Sequence, residues 1–217
     1  MKMHRYIIVP IIALTFLACK QRDKAADNEK TDSVNNTQQT TDTANTDLPG
    51  DNSVPLAQLI VPGVSLGQTA LNESSENVIK RLGQPDGGDA AMGKSVSVWY
   101  ADHNKKGYAT HMFFSRDMGN DDTARVKDIR ISSPAFKINT KLYTGVLLKN
   151  AEAVYKLRKV GAFTVNNSER NIFDDAASGI AFDADRSGTI TGIMVHEKGK
   201  TALPAYMAFF DTVKQAQ

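Results

Sequence analysis

The sequence predicts an α+β protein, two tandem helix-plus-antiparallel-sheet units packed as one domain. Three observations point there. Asn72 stands ten residues before Leu82-Gly83, and Asn150 stands ten before Val160-Gly161. Each spacing suits a short helix with an Asn cap and a Gly just past its end. Strand-like segments with apolar residues at every second position follow each helix. The last strand of each set breaks that alternation at the same place, as a shared β-bulge would.

The elements follow in chain order. Lys2 and Arg5 precede an apolar run over residues 6–17. That run is too short for a bilayer core, which needs about 20 apolar residues, and it reads as the h-region of a secretory signal. Phe16-Leu17-Ala18-Cys19, holding the chain's single cysteine, resembles the lipobox of bacterial lipoproteins. The resemblance implies cleavage after residue 18 and diacylation of Cys19, with outer-membrane lipid as its partner. Lys20 stands where an inner-membrane retention signal would resemble Asp. The expected location is therefore the outer membrane of a Gram-negative cell. Residues 19–54 carry four basic and seven acidic side chains and almost no large apolar ones. Such a stretch cannot offset its ordering entropy and is expected to be a disordered tether.

The first unit is assigned to residues 55–137. Its helix, 72–83, places Val78, Ile79 and Leu82 on one side, with Glu73 and Glu76 in the favourable first turn. Strands are expected over 95–100, 110–117 and 125–131. The second unit, 138–217, has a helix over 150–161 with Ala151, Val154, Leu157 and Val160 at a helical spacing. Its strands are expected over 171–173, 178–185 and 189–195. Alternation puts Met112 and Phe114 on the same face as Ile180 and Phe182. Val126, Ile129 and Ile131 repeat the three-then-two spacing of Ile190, Ile193 and Val195.

Composition narrows the function. There are 26 Lys+Arg against 24 Asp+Glu in 217 residues. A net charge of +2 gives no basic face for nucleic acid. One cysteine excludes a disulfide framework and multi-Cys zinc sites. Residues 88–95 match the phosphate-loop pattern literally, but a helix precedes and a strand follows, the reverse of what phosphate binding needs. They read as a flexible Gly-rich loop. Asp183-Ala-Asp185-Arg-Ser-Gly188 copies half an EF-hand, yet Met194 stands where a bidentate Glu is required. It reads as a hairpin turn. No catalytic residue, cofactor or metal ligand is assigned.

Ile60-x-x-Gly63 with Val78-Ile-x-x-Leu82-Gly83-Gln-Pro85 resembles the opening of the SmpA/OmlA outer-membrane lipoproteins. That motif is similar to the repeat of β-lactamase inhibitor proteins. The resemblance implies a non-catalytic docking role toward an unknown envelope protein. Alternation also places Trp99, His111, Phe113, Arg130, Met194 and His196 opposite the core-facing set. Aromatic, Met and Arg side chains on an open sheet face suit a protein-binding surface. The competing expectation is that residues 203–210 fold back and cover it. Two other readings stand beside the docking role: an envelope hydrolase with a site formed only in space, and a small-ligand or calcium carrier.

Overall fold

The computed structural model describes residues 54–216. The signal, Cys19 and the tether up to residue 53 lie outside the described residues, whereas Val54, placed in the tether, is buried. Strands β1 (Ile60–Val61), β2 (Ser65–Leu66) and β3 (Thr69–Ala70) form a small ladder ahead of helix α1 (Ser75–Leu82). Four strands follow: β4 (Gly87–Ala91), β5 (Lys94–Tyr100), β6 (Ala109–Asp117) and β7 (Asp121–Ile131). A second small ladder, β8 (Lys137–Asn139) with β9 (Leu142–Tyr143), precedes α2 (Lys149–Glu152). Then come β10 (Arg158–Val165), β11 (Ser168–Asp175), β12 (Ile180–Ala184) and β13 (Ile190–His196), followed by α3 (Leu203–Phe209) and β14 (Lys214–Gln215).

This is a mostly β protein and not a tandem of helix-plus-sheet units. Nine strands make one antiparallel sheet in the order β14-β10-β11-β12-β13-β7-β6-β5-β4. The first helix forms where expected, although Ser74 caps it, its hydroxyl accepting from Asn77 N–H at 3.3 Å. Asn72 instead turns the chain at φ +64°. The second helix is a single turn. Val154, in the supposed apolar stripe, is 63% exposed, and Val160 and Gly161 lie inside β10. The segment there pairs with β11 on one side and β14 on the other, so ladder bonds outweigh a marginal helical pattern. Gly161 is no helix cap. A Cβ at Gly161 would lie 2.7 Å from Lys214 O, so its bareness admits the C-terminal tail. The Gly-rich loop is likewise a hairpin, β4 to β5, turned by Met92 and Gly93 at positive φ.

The irregularities expected in the last strand of each set are both present. Register moves from Phe113–Asp128 to Phe114–Val126 between β6 and β7, and from Asp183–Gly192 to Ala184–Ile190 between β12 and β13. Lys127 and Thr191 are thus the extra residues of equivalent bulges. β7 and β13 pair antiparallel, Ile131 opposite Ile193 and Ile129 opposite Val195. That pairing joins the β4–β7 and β10–β13 meanders edge to edge.

Each face of the sheet has a core. On one, Met112, Phe114, Val126, Ile129, Phe182 and Ile193 pack under Ile60, Leu66, Val78, Leu142, Leu148 and Ala151 of the preceding ladders and helices. On the other, Phe163, Ile172, Ala181 and Met194 pack under Ala202, Leu203, Ala205 and Tyr206 of α3.

Candidate functional site: a basic groove beside a covered sheet face

The six residues expected on an open face do not form one. Trp99 sits on the first core's face, because β5 pairs it with Thr110, two residues from Met112 and so on the same side of the strand. Opposed residues of an antiparallel pair share a face. Its indole Nε1–H donates to Gly83 O at 3.0 Å. The other five do lie opposite that core, and α3 with the tail covers them. Met194 and His196 are fully buried and Arg130 nearly so. Phe113 packs against the α3 core. The His111 ring lies 5.3 Å from those of both Phe209 and Phe210. The fold-back of residues 203–210 is the arrangement adopted.

Burying these polar groups demands partners. Arg130 donates from Nε and Nη2 to the two carboxylate oxygens of Asp183 at 2.8 and 2.9 Å. Tyr206 Oη–H donates to Asp183 Oδ2 at 2.8 Å and Thr191 Oγ1–H to Oδ1 at 2.6 Å. The carboxylate is therefore fully satisfied. Burial alone would raise the Asp183 pKa, but Arg130 holds it below the usual range. The guanidinium also lies 5.2 Å from the ring centre of Phe210, which stacks on Phe163 at 4.3 Å. Cation–π attraction supplements the ion pair there.

A second buried pair joins His196 Nε2 to Asp174 Oδ1 at 3.0 Å, while His196 Nδ1 lies 3.1 Å from Glu197 O. Both ring nitrogens face acceptors. Burial would lower the imidazole pKa, and the Asp174 hydrogen bond overrides it to raise the pKa. Across the β7–β13 seam, Asp128 opposes His196. Burial raises its carboxyl to about 7, with His196 working against the shift and Glu197 and Asp174 adding to it. Ala202 N–H and Thr201 Oγ1–H both donate to Asp174 Oδ2, tying the start of α3 to this cluster.

A groove of about 490 Å³ opens on this face between the 101–108 loop and the β10–β11 hairpin. Its apolar wall is Phe163, Phe210, Val165 and Tyr100; its charged groups are Lys105, Lys106, Arg130 and Arg170. No Asp or Glu lines it. His111 lines it too, and its Nδ1 is buried without a hydrogen-bond partner. Burial, then the Arg130 charge, pull the His111 pKa down to about 3, so the ring is neutral.

The lysine loop is held in shape. Asp102 and His103 both take φ of +54°, each costing on the order of 1–3 kcal/mol. Asp86 holds them, accepting from Tyr100 N–H at 2.7 Å and lying 2.6 Å from His103 Nδ1. Sequence reasoning did not single out Lys105, Lys106, Phe163, Arg170 or Phe210 as functional residues. Lys105-Lys106-Gly107 was a visible signal, a paired charge in a turn. The other three are brought in only by the sheet order and the tail.

Asp183 and Ala184 end β12, and the residues that follow make the expected hairpin turn into β13. Asp185 Oδ1 accepts from Ser187 N–H and Thr189 N–H, both at 2.9 Å, and Gly188 takes φ +81°. Among the described residues no three His, Cys, Asp or Glu side chains are grouped to hold a metal ion.

No family model matches the chain, and no curated protein matches it. Among solved structures it is similar to an extracellular protein containing an SCP domain from Bacillus anthracis str. Ames. The identity is 9% and the TM-score 0.36, over 68% of this chain and 49% of that one. The match therefore spans about half the length of that protein. Among the described residues no helix is long and apolar enough to cross a membrane.

Proposed function

We propose that this chain is a lipid-anchored envelope protein whose folded part is a non-catalytic binding module acting through the groove. The observation that carries this reading is the groove itself. Beside the stretch of sheet that α3 covers lies a ligand-sized opening, lined by four basic side chains and no acidic one. Its volume lies within the roughly 300–1,000 Å³ typical of small-molecule sites. Anchoring rests on the basic head, the apolar run and Cys19. Two or three acyl chains, at about 0.8 kcal/mol per buried CH₂, hold a protein on a bilayer where one chain would not. The outer membrane of a Gram-negative cell is the location that Lys20 favours.

Replacing Cys19 by Ser tests the anchor. The variant is expected in the soluble fraction, or uncleaved, while the parent stays with outer-membrane fragments after a high-salt wash. Retention of Cys19→Ser in washed outer membranes defeats the lipoprotein assignment. The groove is tested separately below.

A further inference from the structure

We infer that the groove is a site for a small ligand that joins an anionic group to a flat apolar body. This deepens the binding reading above and rests on it. The charge argument comes first. Lys105, Lys106 and Arg170 line the opening, and of these Arg170 alone has an ion-pair partner, Asp185 at a long 3.9 Å. Arg130 spends Nε and Nη2 on Asp183, which leaves Nη1 outside that pair. Arg130 is neutralised by Asp183 and Arg170 is only loosely paired, so Lys105 and Lys106, with no carboxylate in the lining, carry most of the positive potential that favours an anion. Arg and Lys together suit phosphate or carboxylate oxygens.

The wall explains the rest of the ligand. Phe163 is buried behind Phe210, stacked on it 17° from parallel, and the half-buried Phe210, Tyr100 and Val165 present the apolar surface. A free phosphate would leave it unused. A planar ring would cover it, and stacked or tilted aromatic contacts add about 0.5–1.5 kcal/mol beyond area burial. His111 completes the wall as a neutral ring whose Nδ1 has no partner within the protein. Both sides of the groove are built rather than slack. The loop bearing Lys105 and Lys106 is held at two left-handed residues, and Asn166 and Asn167 turn the opposite hairpin at φ +50° and +60°.

The test uses the full chain in a neutral detergent and 1-naphthyl phosphate as the probe, read by fluorescence anisotropy. Saturable binding is expected, tighter than that of 1-naphthol or inorganic phosphate by at least about tenfold. Raising salt from about 50 to 500 mM is expected to weaken it severalfold. The double variant Lys105→Ala/Lys106→Ala, and separately Arg170→Gln, are expected to weaken it at least about fivefold without moving the melting temperature. Equal binding of 1-naphthol overturns the anionic assignment while leaving a ligand-binding groove. Equal displacement by inorganic phosphate overturns the apolar half. Undiminished binding by the variants places the ligand elsewhere and also overturns the inference. No binding of any of the three probes overturns both this inference and the binding reading.

Discussion

Gly192 lies directly beneath the Arg130–Asp183 pair, and a Cβ there would collide with Arg130 Nη2 and Asp183 Oδ2. The sheet can bury this pair only because that position is bare. Asp183→Ala leaves a buried guanidinium unpaired and is expected to cost about 3–5 kcal/mol in urea unfolding, whereas Arg130→Met with Asp183→Leu should cost far less than the two single changes summed. Additive costs would show that the pair is not coupled. The pH dependence is also a matter of single residues. Burial raises the Asp128 carboxyl to about 7, above an unfolded value of about 3.9. The stability it contributes is full below that unfolded value and is lost as pH rises toward 7. For His111 the folded value falls to about 3 from about 6.5 unfolded. Its contribution is present above 6.5 and is lost as pH falls. Between about pH 4 and 6.5 the two slopes oppose, each up to about 1.4 kcal/mol per pH unit. Asp128→Asn is therefore expected to make stability rise with pH across this window, and His111→Gln to make it fall. Parallel profiles for the two variants would contradict both assignments.

At the scale of elements, α3 decides what the second face of the sheet is for. Leu203, Ala205 and Tyr206 seat it on Phe163, Ile172 and Met194. A face that alternation alone leaves open becomes a second core. Phe113 and Phe114 report on this directly, since neighbours in a strand point to opposite faces. Phe114 is fully buried in the first core, and its truncation to Ala should cost about 3–5 kcal/mol through the cavity left. Phe113 is half-buried under the tail, so Phe113→Ala should cost roughly half as much. Chemical denaturation of the two variants measures the difference. A loss below about 0.5 kcal/mol at Phe113, the scale of a surface site, would mean that the tail does not cover it.

At the scale of the whole molecule, the β7–β13 seam makes one sheet of two meanders. Its register places Ile129 and Ile131 against Val195 and Ile193 in a single buried layer. Neither meander keeps a complete core without the other. Residues 54–216 should therefore unfold in one transition, with the fluorescence of Trp99, which reports the first meander, coinciding with far-ultraviolet circular dichroism, which reports all strands. Two separated transitions would show independent units. The groove is a property of this same scale, since its lysines come from the loop after β5, Arg170 from β11 and Phe210 from the tail.

What the sequence by itself determined is local. Period-two alternation marked Met112, Phe114, Ile180 and Phe182 as core, and all four are buried. The matched spacing of apolar residues marked a bulge between Val126 and Ile129 and another between Ile190 and Ile193, where Lys127 and Thr191 prove to be the extra residues. Asp185 and Gly188 marked a turn, and Gly83 marked the end of α1, although Ser74 and not Asn72 caps its start. Each of these depends on neighbours a few residues away. Tertiary structure alone decided the rest. Residues 158–161 became strand because β11 and β14 offered backbone partners that an isolated helical stripe cannot match. Trp99 faced the first core because the pairing of β5 with β6 fixed its side, and a shift of one residue would have reversed it. The second face was sealed by α3, and the basic groove opened at its edge, because hydrophobic burial is non-directional. Whichever apolar segment can reach an uncovered face will cover it.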